Sequence, residues 1–518
     1  MSGSLQGESL LDTKRIGIVN FAGRMLAIVA GLAFQIIVTR RLEPVDFALY
    51  HLTLNTVSTF VIPVSLITYW SSRDSARGNM VVPTALLSGL CLSLVASAAY
   101  LIFSYFFSES LGVEFGPFLL GSVILVLTYE STIVQAISST VRPHVVGYME
   151  ITKEMLKVLA GFFCVYVLKL SLIGSLLSWI ISVLSQLALG LSMIRDKVRG
   201  GFDGRAVRRW LTAAWLPTAA NVANILSALD LLVLAALSSM MAVSYFSMAS
   251  VLSSVILHTI ALASALYPQM LVGGSEVHVD EALRFWLLFA VPMSIGLSSL
   301  APAIAHVLRK DYAQAHCAIV LQTVGAFFLV LGDILAIVTS GQEKLSADAV
   351  GAGKPISSSS TFRMILVRLI SSFIYIASIT ACLSLLAFGD VDAANVASLI
   401  YALVAAISLL PKWAITRSVI RFRAPIGSFL RYAVCFVPSL AFIWAFYPTG
   451  AFSERISEVL INLLPVIAVS ALLYFATAAV IDPYFRGIVS TALDRVKGGR
   501  THRSRGQAKA EGFEGDRG

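Results

Sequence analysis

Fourteen stretches of this chain are apolar over about the length that a helix needs to cross a bilayer, roughly 20 residues at 1.5 Å of rise each. They run over 16–39, 47–69, 80–107, 116–138, 150–168, 171–194, 210–237, 241–268, 284–308, 315–338, 364–388, 393–415, 429–447 and 457–481. Lipid offers no partner to a free backbone N–H or C=O, so each run must be a helix. The expectation is an all-α integral membrane protein. With 13% charged residues, the chain falls well below the roughly 25% of soluble domains. The run from Ile16 is too long for a signal-peptide core and has no small-residue cleavage site, so no cleaved signal is expected.

Sidedness follows from the basic residues. With the N-terminus inside and the flanking turns counted with each loop, the inner segments hold 31 of the 38 Lys and Arg. Only Arg40, Arg41, Lys169, Arg309, Lys310 and Arg455 fall outside, and Arg24 is left within a span. That bias places both termini in the cytoplasm of a plasma-membrane protein. It also accounts for the net charge of +9 without nucleic acid as a partner. The five cysteines lie far apart inside apolar runs, which suits buried thiols and gives no metal or disulfide spacing. The segment 341–361 has the Gly, Ser and Ala content of a flexible linker. Its Gly351-Ala-Gly-Lys-Pro355 lacks the first glycine and the Ser/Thr of a phosphate loop.

A weak internal repeat organises the spans. Gln35 and Asp230, and Tyr50 and Tyr245, are both 195 residues apart, and Gln-Ile-Ile-Val answers Asp-Leu-Leu-Val. Six spans separate the copies, so both run in the same direction, as when two six-helix bundles flank a central cavity. The expected organisation is a first six-helix lobe (1–194), a basic cytoplasmic linker (195–209) and a second six-helix lobe (210–425). Two additional helices (426–485) and a basic cytoplasmic tail (486–518) follow. Pro217, Pro268, Pro292 and Pro302 interrupt spans and are candidate kinks.

Charges inside spans are the candidate functional residues, since each costs a few kcal/mol in hydrocarbon. Arg24 lies about 12 Å from the inner end of span 1 by helical rise, and Glu130 in span 4 reaches a similar depth. Two readings stay open: an ion pair that fixes packing, or a cation facing a wet cavity with Glu130 holding it or carrying a coupling proton. Glu150, Lys153, Glu154 and Lys157 share one helix face, with Lys157 the deepest. Asp230 and Asp333 are either packing residues or part of a proton or sodium site. His258, expected near the middle of span 8, is a packing residue or a group that titrates near neutrality. Asp390-Val-Asp392 has a metal-binding spacing, yet sits where acidic residues favour the start of a helix.

After span 1 comes Leu42-Glu-Pro-Val-Asp-Phe-Ala-Leu-Tyr50. It is similar to the Leu-Gly-Pro-x-Asp-Phe-Gly-x-Tyr of Wzx-type (O-antigen) polysaccharide flippases, in the multidrug/oligosaccharidyl-lipid/polysaccharide exporter superfamily. Glu43 and Ala48 replace two glycines. The likeness continues in Ser71-Ser-Arg-Asp-Ser-Ala-Arg77, Ala228-Leu-Asp-Leu-Leu-Val233 and Ala265-Leu-Tyr-Pro268. The resemblance implies a MATE-like pair of lobes around a cationic cavity, moving a polyprenyl-(pyro)phosphate-linked oligosaccharide outward for cell-surface polysaccharide synthesis. It implies no catalytic residue, metal or resident cofactor. Arg24, Lys157 and Arg142 are then the expected headgroup residues, and Glu130, Asp230, Asp333 and His258 the ion-pair or H+/Na+ coupling residues. Membrane lipids and polysaccharide-assembly enzymes are the expected partners. The competing readings are a drug or cation antiporter of the same superfamily, a membrane glycosyltransferase or polymerase, and a passive scramblase.

Overall fold

The computed structural model describes residues 29–198, 200–212, 215–263, 266, 270, 275–342, 359–447 and 456–490. Among them every regular element is a helix. The first, α1 (29–41), ends in a corner at Leu42 and Glu43. Pro44 opens α2 (Pro44–Val61), which passes through a 3-10 turn at Ile62–Val64 into α3 (Ser65–Ala76). The corner needs no glycine. Glu43 is extended (φ −67°, ψ 155°), which any residue adopts, and the proline ring presets the first helical turn.

Next come α4 (Val82–Leu111) and α5 (Gly116–Val141). α6 (Pro143–Gly161) loosens into a π-helical turn at Phe162–Val167 before α7 (Ser171–Met193). α5 packs against α3, α4 and α7, and α7 lies along α6.

Between the halves the structure departs from the simple linker and single span expected from the sequence. α8 (Gly204–Thr212) is a separate amphipathic helix, started by Asp203 Oδ1 accepting from the Arg205 N–H at 2.9 Å. It is tied to the C-terminal end of α3, where Trp210 Nε1 and Arg209 Nη2 donate to Asp74 Oδ2 at 2.9 and 2.6 Å. The run 210–237 then breaks into α9 (Trp215–Ser227) and α10 (Asp230–Leu237). At the joint, Asn55 Nδ2 of α2 donates to the Ala228 carbonyl at 2.6 Å. Asp230 caps the restart, its Oδ1 accepting from the Leu231 N–H at 2.7 Å. A carboxylate there also suits the helix dipole.

α11 (Met240–Leu257) continues as a 3-10 stretch to Ala263. α12 (Glu276–Ser299) carries Pro292 inside and gives way at Leu300 to α13 (Ala301–Leu308), which Pro302 helps to open. The second half is completed by α14 (His316–Gln342), α15 (Ser360–Leu385) and α16 (Asp390–Val419), with α16 packed on both α14 and α15. Asp390 and Asp392 sit in the first turn of α16, and Asp390 accepts from Ser239 Oγ at 2.5 Å. α17 (Ile426–Ala445) and α18 (Ile456–Ile481) pair with each other, α17 also lying on α12. A short α19 (483–490) follows.

Eleven helices among the described residues are long and apolar enough to cross a membrane. Large apolar side chains such as Val95, Ile102 and Phe106 stand exposed along α4, as contact with lipid requires. The chain is a multi-pass membrane protein. Most of the expected linker at 341–361, the tail from 494, Pro268 and Arg24 lie outside the described residues.

The C-terminal pair is fastened at Asp482. Its side chain is fully buried and accepts from Arg284 of α12, from Arg431 Nη1 at 2.9 Å and from Tyr432 Oη at 2.8 Å. Burial alone would raise this carboxyl; the Tyr432 and Arg284 hydrogen bonds, with the arginine charges, bring it below its ordinary value. A lowered folded-state pKa adds stability that is present above the unfolded value and lost as pH falls through the folded one. Asp482→Asn is therefore expected to lower stability at neutral pH by roughly 1.5–3 kcal/mol, the scale of hydrogen bonds to a charged group. It should also remove that acid-sensitive component. Thermal unfolding of purified protein at neutral and acid pH tests this, and wild-type stability at pH 7 would contradict it.

Candidate transport site

The first half gathers its charges around α6. Lys157 Nζ lies 2.5 Å from Glu154 Oε2, and Lys153 Nζ lies 3.9 Å from Glu154 Oε1. Glu150 Oε1 accepts from Gln135 Nε2 of α5 at 2.6 Å. The Lys157 ammonium also stands 4.6 Å from the Trp179 ring centre of α7 and 5.4 Å from that of Phe34 on α1. Glycine lets α1 come this near, since a Cβ on Gly161 would meet the Phe34 ring at 2.6 Å. Lys157 is thus a paired, ring-flanked, buried cation in this conformation.

Glu130 faces α4, with Oε1 buried beside Gly89 and no hydrogen-bond partner among the described residues. Its expected meeting with Arg24 falls outside the described residues. Arg142 has another task. It donates to the Met193 carbonyl and pairs with Asp196 at 3.1 Å, clasping the α5–α6 corner to the end of α7.

In the second half, Asp230 is joined to a pair of tyrosines. Tyr375 Oη of α15 donates to Asp230 Oδ2 at 3.1 Å, and the Tyr375 and Tyr401 rings lie 5.9 Å apart. Tyr401, on α16, stands in the field of both Asp230 and Asp333. Asp333 in turn is the acidic neighbour of Lys412, a buried lysine that the sidedness count assigns to a cytoplasmic segment. Gly332 makes room for it, because a Cβ there would lie 2.8 Å from Lys412 Nζ. The signal was present in Pro411-Lys-Trp413, a cation inside a helix-length apolar run. His258 is exposed and caps α11, at the point where the helix tightens to 3-10.

A separate apolar groove of about 520 Å³ opens between α1, α11–α13 and the α17–α18 pair. Leu32 and Ile36, Val255, Met293 and Gly296, and Leu464 and Phe475 contribute walls from different elements. Among the described residues no charged side chain lines it, and Gln35, Ser470 and Tyr474 supply its polar atoms.

Where α1 meets α2, the two halves are locked together. Arg40 Nε donates to the Val307 carbonyl at 2.7 Å, while Arg309 Nη1 donates to the Leu42 carbonyl at 2.5 Å. Each arginine caps the helix that bears the other. Tyr312 fills the space beneath, bonded to Ser244 Oγ at 2.9 Å and in ring contact with Phe47 and Tyr245. Sequence reasoning gave these arginines no role, because both were expected in outer loops.

No protein-family model and no curated protein matches the chain. Solved structures do. A lipid II flippase, MurJ, in an inward closed conformation aligns with a TM-score of 0.66 at 15% identity, over 91% of this chain and 100% of that one. An inward-facing multidrug resistance MATE transporter of the MOP superfamily aligns at 0.55 and 11% identity, over 78% of this chain and 98% of its own. The fold is that of MurJ and the MATE transporters. The Vibrio cholerae MATE transporter VcmN in the bent form gives 0.51 at 13% identity, over 78% and 98% of the two chains. The MurJ likeness extends over more of this chain than the MATE likeness does.

Proposed function

We propose that this protein is a flippase, not an enzyme, that moves a polyprenyl-(pyro)phosphate-linked oligosaccharide from the cytoplasmic to the outer leaflet for surface polysaccharide synthesis. The observation that carries this reading is the uncharged groove of about 520 Å³ set apart from the charged groups. That volume lies within the roughly 300–1,000 Å³ of ligand sites. An isoprenoid tail needs apolar walls and no counter-charge, whereas its pyrophosphate needs a fixed cation in a wet cavity. A cationic drug would need a carboxylate in the wall, and among the described residues this wall has none. The likeness to a lipid II flippase supports cargo of the lipid-linked class.

On this reading both termini are cytoplasmic and the lobes divide at 1–194 and 210–425. Arg24 takes the headgroup, and Lys157 becomes available to it only once Glu154 lets go. Arg142 serves as a loop clasp. Glu130, Asp230 and Asp333 are the groups open to a coupling proton or sodium ion. The test is movement of a fluorescent polyprenyl-pyrophosphate sugar across reconstituted bilayers, for wild type and Arg24→Ala. The variant is expected to lose at least about tenfold in rate, equivalent to roughly 1.4 kcal/mol. No movement by wild type under proton or sodium gradients would sink the flippase reading; equal rates would remove Arg24 alone.

A further inference from the structure

The last turn of α16, the 420–425 connection and the first turn of α12 enclose an open concavity of about 730 Å³, distinct from the apolar groove. Arg417, Arg421 and Arg423 line it, with Glu276 as the one acidic wall residue among those described. Trp413 and Phe422 form its floor, their ring centres 4.6 Å apart. All three arginines are exposed, and Phe422 is buried beneath them. Among the described residues, no carboxylate comes within ion-pair distance of any of the three. Asp280, one turn along α12, is a further acidic group whose charge acts on Arg423.

Three like charges converging on one concavity repel one another unless an anion joins them. A guanidinium fork matches phosphate oxygens bidentately, in a way that a lysine does not. By charge bias the pocket opens on the cytoplasmic side, at the level where a tryptophan and basic residues meet headgroups. We propose that this pocket binds a phosphoryl anion, with Arg417, Arg421 and Arg423 as its ligands and the Trp413–Phe422 pair as its floor. The anion comes either from an anionic phospholipid headgroup or from a soluble phosphate compound. The site is independent of the cargo groove and of the reading proposed for it.

The test is native mass spectrometry of the full-length protein with two probes, phosphatidylglycerol and inorganic pyrophosphate, with phosphatidylcholine as the neutral reference. The combined Arg417→Gln, Arg421→Gln, Arg423→Gln variant is expected to bind the preferred probe at least about tenfold more weakly. Arg421→Lys should lie between it and wild type. Arg195→Gln, at another inner corner, should change nothing. Glu276→Gln should bind more tightly, a change that misfolding would not produce. Preference for phosphatidylglycerol over phosphatidylcholine, lost in the triple variant, identifies a lipid headgroup. Saturable pyrophosphate binding without that preference identifies a soluble phosphate. Wild-type binding of both probes by the triple and Glu276→Gln variants overturns the site.

Discussion

A tryptophan at Gly296 is expected to stop transport of long-tailed cargo while leaving the protein folded. Gly296 lies on α12 and faces the apolar groove. A Cβ built there meets only the Phe436 ring, at 3.6 Å, which is ordinary contact, so a large side chain can enter the groove without moving backbone. Replacing a helix-interior glycine by tryptophan recovers a few tenths of a kcal/mol of the roughly 1 kcal/mol that glycine costs relative to alanine, and the buried indole adds apolar contact. Stability should therefore hold or rise. Tail binding has no such compensation: each roughly 1.4 kcal/mol lost costs a factor of ten, and the expected fall in initial rate exceeds that. The discriminating measurement compares cargo with a full polyprenyl tail against the same head on a short prenyl chain. A selective loss with the long tail places the groove on the transport path. An unchanged long-tail rate would take it off.

The second large effect lies at the crossed arginines. Arg40→Ala with Arg309→Ala removes two charged hydrogen bonds to helix-end carbonyls, each worth roughly 1.5–3 kcal/mol. Together they supply about 3–6 kcal/mol to one conformer, and about 5.5 kcal/mol separates a 1:99 from a 99:1 population. The double variant is expected to populate a form with the halves apart on the α1–α2 corner side. Spin labels at Glu114 and Leu386, on corner-side loops of the two halves, should then report a longer distance. Transport should fall, because alternation needs both states. An unchanged distance distribution in the double variant would show that the Tyr312 contacts alone hold the halves closed.

The fold was legible in the sequence to the extent that hydrocarbon dictates it. Among the described residues, eleven helices of spanning length stand over expected apolar runs, because each run must satisfy its own backbone. Their interruptions were harder to see. The break at Ala228–Leu229 has no proline or glycine to announce it, since Asp230 and Asn55 make it by side-chain bonding to backbone. The Leu42–Glu43 corner was visible in Pro44, and its missing glycines proved unnecessary. At the candidate site, spacing correctly grouped Lys153, Glu154 and Lys157 on one face of α6. It could not reveal that Trp179 and Phe34 close over the lysine, because those rings arrive from other helices. Lys412 escaped for the opposite reason: a cation near a span end counts as topogenic until its packing against Gly332 is known.

The joint between α9 and α10 has a consequence for how the two states can be told apart. The Ala228 carbonyl, which an unbroken helix would bond within itself, is served by Asn55 from the other half. If the halves part along that seam, the oxygen and the amide both lose their partner inside a membrane, where only water can replace it. The seam must therefore flood as it opens. Solvent exchange at Asn55 and Ala228 would then report the conformational state directly.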